Sequence, residues 1–292
     1  MGNLSCMNER ICVVTGASSG IGKATALELA RRGATVVLIC RNRQKGEDAA
    51  REIKALTGRG AIDLMVADLS IQQQVRAVAA EFNSKYEKLH VLVNNAGATF
   101  PKRRESADGN EMTLAVNHLA PFLLTNLLLE RLKATGGSRV VNVNSDAHEK
   151  GKIDFNDIQM QRHYPRGVGM HAYANAKLAN LLTLYELARR LRDSHVTVNA
   201  LHPGYVATNI VTLEAATGPV RLLKPFWRIA MHFILTAEKG ATTSVYLASS
   251  PEVAHLSARY FEKCVAVPSS PASRDRDMQR RMWQLSEQLT NG

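Results

Sequence analysis

The sequence predicts an α/β fold, one domain of 292 residues built on a doubly wound parallel sheet of about seven strands with helices on both faces. Three observations carry this prediction. From Arg10 onward, short β-branched runs alternate with longer helical patterns, the rhythm of βαβ units. The runs are continuously apolar instead of alternating, as parallel strands buried on both faces are. A glycine-rich turn ends the first run and opens the first helical pattern.

In chain order, ICVVTG predicts the first strand and ATALELARR the helix behind it. ATVVLIC is the second strand, an Arg/Glu/Ala-rich stretch the next helix, and AIDLMVADLS the third strand. LHVLVNN at 89–95 is the fourth, followed by one long helix over 109–134 marked by an apolar stripe. SRVVNVNS at 138–145 and HVTVNALHP at 195–203 give two more strands, with a helix over 172–191 between them, and ARYFEK gives a seventh. The segments 146–170, 209–235 and 268–276 read as connections, and no internal repeat or low-complexity tract interrupts the pattern.

Composition narrows the function classes. The hydrophobic share of 45% and charged share of 22% suffice for a full core without disulfide staples. The net charge of +11 comes from Lys and Arg spread over many segments with no basic, aromatic-interleaved tract, so no nucleic-acid partner is expected. Such charge suits an anionic cofactor or an acidic membrane surface. Cys6, Cys12, Cys40 and Cys264 show no CxxC spacing, and His118, His148, His163, His171, His195 and His202 form no HExxH set. No metal is therefore expected, and a reduced, cytoplasmic setting is. The first ten residues lack the apolar run of a signal peptide or anchor, and 222–235 is broken by Lys224, Pro225, Arg228 and His232, so no transmembrane segment is expected and a peripheral membrane contact is the most that fits.

The turn TGASSGIG places Gly16, Gly20 and Gly22 at the end of a strand and the start of a helix. Gly16 permits the tight turn, Gly20 lets backbone approach a pyrophosphate, and Gly22 lets helix pack on strand, with the helix N-terminus favouring negative charge. After the second strand stands CRNR, with Arg41 and Arg43 where an acidic residue would bind a ribose hydroxyl. A 2′-phosphate, and so NADP(H), is expected instead of NAD.

Only one of the seven tyrosines has a lysine four residues later, Tyr173 with Lys177 in YANAK. On a helix the pair shares one face, where the ammonium is expected to lower the phenol pKa toward acid/base use. Ser145 ends a predicted strand on the side where an open α/β sheet binds ligands, and can hydrogen-bond an oxygen that gains negative charge. Asn117 lies in the helix after NNAG.

These residues, with ADLS, LAVNHLAPFLLT, RVVNVNSDAH followed by GKIDFNDI, and HPGYVAT, resemble the short-chain dehydrogenase/reductase family over roughly 10–262, and within it the retinol-dehydrogenase-like branch. The resemblance implies a Rossmann-type fold with a nucleotide-binding part at about 10–145 and a catalytic and substrate-binding part at about 146–292. It implies Tyr173 as acid/base and Lys177 as its partner, which also holds the nicotinamide ribose. Ser145 would polarise the substrate oxygen, and Asn117 would hold a proton-relaying water. Around the cofactor it implies Ser18, Ser19 and Ile21 in the loop, Asp68 and Leu69 near adenine, Asn95, Ala96 and Gly97 along the nucleotide, and Pro203, Gly204, Val206 and Thr208 by the nicotinamide. Ala176 stands where the family often has Ser, and the interval from Ser145 to Tyr173 is long, as in that branch. The expected activity is NADP(H)-dependent hydride transfer between nicotinamide and the carbonyl or alcohol carbon of a lipophilic substrate. The alternatives are reduction of a carbon–carbon double bond and an idle NADP-binding sensor or scaffold. An apolar segment at 209–235 is expected to act as a substrate lid, and the two long helices are the surfaces through which a homodimer would form.

Overall fold

The computed structural model describes residues 7–58, 61–162, 164, 169–205 and 235–291. One eight-stranded sheet runs in the order β3-β2-β1-β4-β5-β6-β7-β8. Its strands are β1 (Ile11–Thr15), β2 (Thr35–Cys40), β3 (Ile62–Val66), β4 (Val91–Asn94), β5 (Arg139–Val143), β6 (Thr197–His202), β7 (Arg259–Glu262) and β8 (Val265–Val267). The first seven pair in parallel. The eighth corrects the expected count: β8 pairs antiparallel with β7. It is short and largely exposed, and the turn before it places Lys263 and Cys264 at positive φ, so no buried apolar run marks it in the sequence.

The continuous apolar runs are explained by burial on both faces. Val13, Val37, Leu92, Val140 and Val198 enter one core, while their neighbours Cys12, Val14, Val36, Val91 and Val141 enter the other. Helices α1 (Gly20–Arg31) and α2 (Arg43–Thr57) contribute Ala26, Leu29 and Ile53 to the second core. The first core takes Val75, Val78 and Phe82 of α3 (Gln72–Lys85).

The single helix expected over 109–134 is instead a broken one. One turn, α4 (Met112–Leu114), leads into a π-helical turn (Ala115–Leu119), then α5 (Ala120–Leu127) and α6 (Leu129–Thr135). Pro121 lacks the N–H that the carbonyl of residue 117 would accept from in an α-helix, so the ladder is interrupted there. A second break at Leu128 bends the axis by 51°. Among the described residues no single helix is long and apolar enough to cross a membrane; the bent pair passes by length and composition, and its Leu119, Leu124, Leu128 and Leu132 are buried inside the protein. Three helices complete the described fold: α7 (Met170–Arg190), α8 (Ala237–Ser249) and α9 (Arg276–Thr290).

Candidate active site

Strand order reverses between β1 and β4, which opens a crevice at their C-terminal ends. Gly16, Gly20 and Gly22 line the first of these ends, and their geometry demands glycine. Gly16 and Gly20 have φ of +67° and +56°. A Cβ on Gly16 would lie 2.9 Å from the Cα of Ala96, and one on Gly22 would lie 2.5 Å from the carbonyl oxygen of Gly16. Ser19 caps α1 without using its side chain. The second end is bolted to the first: the amides of Asn95 and Ala96 donate to Thr15 Oγ1 at 2.9 and 3.0 Å, and Asn95 Nδ2 donates to the Thr15 carbonyl at 2.8 Å. Asn95 is therefore seen to brace the loop through its side chain, a role that accompanies its expected place along the nucleotide.

Arg41 lies exposed directly after β2, and Asn42 caps α2 by accepting from the Lys45 amide. Arg43, by contrast, points along α2 at 3.9 Å from Glu47. Asp68 closes its own turn, its carboxylate accepting from the Ser70 amide at 2.9 Å and hydroxyl at 2.7 Å, with Leu69 between them. Pro203 and Gly204 follow β6 at the same edge of the sheet. Val206, Thr208 and all but Leu235 of the expected lid at 209–235 lie outside the described residues.

The catalytic candidates converge. Tyr173 and Lys177 sit on one face of α7, both buried, with Lys177 Nζ 5.3 Å from the Tyr173 ring centroid and donating to the Val143 carbonyl at 2.9 Å. Ser145 follows β5; its Oγ donates to Asp146 Oδ1 at 2.8 Å and accepts from the Ala147 amide at 3.1 Å. Asn117, only 1% exposed, accepts from the Ala98 amide through Oδ1 and donates through Nδ2 to the Ala98 and Thr113 carbonyls. A Cβ on Gly97 would stand 2.8 Å from Asn117 Oδ1 and 3.9 Å from Lys177 Nζ, so glycine here keeps the crevice open between them.

The electrostatics correct one expectation. Lys177 was expected to pull the Tyr173 phenol down, yet burial dominates both groups. Tyr173 is pushed up to about 12, with the Ser145 hydroxyl opposing and the Asp146 charge adding to the rise. Lys177 is pushed down to about 8 by burial alone, and its nitrogen lies over the ring instead of at the hydroxyl.

Several residues that support the site escaped the sequence reading. Asp146 bridges Ser145 to the hydroxyl of Tyr205, and both hydrogen bonds help keep its carboxyl below the usual range against the effect of burial. His148 accepts from the Ser270 amide at 3.1 Å and donates to the Ser145 carbonyl at 2.7 Å, fixing its tautomer and tying the catalytic turn to a distant loop. His118 is equally buried. The sequence showed only that neither belongs to a metal-binding set; neighbouring Ser145 by three positions and Asn117 by one was the available signal. No group of three or more potential metal ligands occurs among the described residues.

A model of the short-chain dehydrogenase family matches residues 10–157. Retinol dehydrogenase 12 of Homo sapiens is 44% identical over 280 residues, which cover 96% of this chain and 86% of the human protein. Among solved structures, an uncharacterized protein from Mycobacterium paratuberculosis superposes with a TM-score of 0.79 at 35% identity, covering 99% of this chain and 96% of that one. The Pseudomonas aeruginosa RhlG/NADP active-site complex superposes with a TM-score of 0.70 at 26% identity, covering 89% and 97%. With the glycine turn, the Asn117, Ser145, Tyr173 and Lys177 cluster and these likenesses together, the chain belongs to the short-chain dehydrogenase family, in its retinol-dehydrogenase-like branch.

Proposed function

We propose that this oxidoreductase-family chain is an NADP(H)-dependent enzyme that interconverts a carbonyl and an alcohol on a lipophilic substrate. The observation that carries the reading is the convergence of Tyr173, Lys177, Ser145 and Asn117 beside the switch point. The residues fit a dinucleotide: glycine at 16, 22 and 97 stands where a Cβ would collide, Gly20 holds a positive φ, and α1 begins at this turn. Arg41 supports a 2′-phosphate over a 2′-hydroxyl, and the Pseudomonas aeruginosa relative described above is a complex with NADP.

When bound, the cofactor supplies or accepts the hydride. The protein supplies the proton and the geometry. Tyr173, protonated throughout the neutral range, is set to donate to the substrate oxygen during reduction. Ser145, whose one proton here goes to Asp146 while the Ala147 amide donates to its oxygen, would turn that proton to the same substrate oxygen as negative charge develops there. Lys177 anchors on Val143 and keeps its remaining N–H groups for the cofactor side. Retinol dehydrogenase relatives support a lipophilic alcohol or carbonyl as substrate.

The test is cofactor oxidation measured with NADPH and NADH against aldehydes, ketones, steroids, retinal and enones. Carbonyl reduction with NADPH, lost by ~100-fold or more in kcat in Tyr173→Phe with cofactor binding retained, is the expected result. Turnover of enones alone, or cofactor binding without turnover of anything, would replace the reading by one of its rivals.

A further inference from the structure

The carbonyl of Asn117 is the acceptor that Pro121 cannot serve. It is met from another helix: Asn180 Nδ2 donates to it at 2.7 Å. Asn180 stands one turn beyond Lys177 on α7, so the same helix face carries the lysine and the amide that holds the Asn117 turn. Behind Asn180 the chain of hydrogen bonds continues, with His118 Nδ1 lying 3.2 Å from Asn180 Oδ1 and His118 Nε2 lying 2.8 Å from Ser286 Oγ on α9. Asn180, His118 and Ser286 are all buried.

The protons can be assigned. Asn180 spends its NH₂ on Asn117, so its Oδ1 faces His118 and the ring must carry its hydrogen on Nδ1. Burial holds His118 down to about 4, so the ring is neutral and Nε2 accepts from Ser286. In this tautomer the Ser286 hydroxyl lies between two acceptors, His118 Nε2 at 2.8 Å and the Met282 carbonyl at 2.6 Å, and shares its one proton between them.

We propose that Asn180 and His118 are positioning residues for Asn117: a polar strut, footed on Ser286 of the C-terminal helix, that holds the π turn in its site-forming shape. Neither touches the crevice in the way Tyr173 or Ser145 does. They act through the Asn117 backbone, and the inference rests on the reading of Asn117 as part of the active site.

Four variants test it. Asn180→Asp keeps the shape but sets a carboxylate oxygen against the Asn117 carbonyl; kcat is expected to fall ~30-fold while the KM for NADPH moves less than ~3-fold. His118→Leu is expected to behave similarly, and His118→Asn, which restores a donor where Nδ1 stood, to recover most of kcat. Pro121→Ala offers Asn117 an N–H from its own helix in competition with Asn180; melting temperature is expected to hold or rise while kcat falls ~10-fold, a split that a purely structural role cannot give. The second readout is hydrogen exchange at the Ala98 amide, which Asn117 Oδ1 holds and which is expected to quicken in Asn180→Asp. Full kcat in folded Asn180→Asp and Pro121→Ala would overturn the strut. If the wild type reduces no carbonyl, the functional reading fails by itself; Ala98 exchange then decides the strut, faster exchange supporting it and unchanged exchange overturning it.

Discussion

The two walls of the crevice are built by different means. The proposed nucleotide wall, at the ends of β1 and β4, consists of backbone: glycines whose Cβ atoms would collide, and main-chain amides bolted to Thr15. The proposed catalytic wall consists of side chains, buried at Asn117, Tyr173 and Lys177 and half-buried at Ser145, that are tied to residues remote in sequence, Ser145 through His148 to Ser270 and Asn117 through Asn180 and His118 to Ser286. The first wall is specified where it stands. The second depends on the C-terminal segment being docked, so damage there is expected to reach the chemistry without touching the phosphate loop.

The sharpest test of the backbone wall is Gly22→Ala. Its Cβ would lie 2.5 Å from the Gly16 carbonyl oxygen and 2.4 Å from Asn95 Nδ2, with backbone that has nowhere to move. A loss of about 3 kcal/mol in stability, the upper end of overpacking costs, is expected, with NADPH affinity falling ~100-fold or more in what remains folded. Denaturant melts and cofactor titration read both, and wild-type values would mean that the loop tolerates a side chain.

The catalytic wall is expected to fail first in acid. His118 is held down to about 4 and His148 is also lowered, both by burial, whereas an unfolded chain takes up these protons near pH 6.5. The stability they contribute is therefore complete above pH 6.5 and declines as pH falls toward the folded values. His118 alone accounts for roughly 2 kcal/mol between pH 7 and pH 5. His118→Asn should flatten that acid limb in urea melts, and an unchanged limb would show that His118 does not titrate on unfolding as described.

The smallest expected effect lies on the exposed edge of the nucleotide wall. Arg41→Asp should shift the ratio of NADPH to NADH affinity by about tenfold, or 1.4 kcal/mol, toward NADH, with little change in kcat on the preferred cofactor. An unaltered ratio of dissociation constants would make Arg41 a surface charge only.

How legible each wall was follows from the same contrast. Gly16, Gly20 and Gly22 could be placed from spacing alone because their role is local, set by a strand, a turn and a helix within a dozen residues. Tyr173 and Lys177 were legible because a helix fixes residues four apart on one face. The first six parallel strands are legible as runs dominated by apolar residues; β7, whose RYFE is charged at both ends, is legible only weakly, and β8, exposed and three residues long, not at all. The break in the 109–134 helix could have been suspected from Pro121, but an apolar stripe does not report where a backbone hydrogen bond is missing.

By itself the sequence determined the α/β class, the strand order's raw material, the glycine turn and the residue types of the candidate catalytic set, because each depends on periodicity or on backbone freedom within a short window. Only the tertiary structure decided the rest. It raised Tyr173 and lowered Lys177 by enclosing both, set the Tyr205 hydroxyl on Asp146, and made His118 and His148 into struts. The physical reason is that burial and hydrogen-bond partnership belong to the space around a side chain, and that space is filled here by residues dozens to more than a hundred positions away, whose arrival no local pattern records.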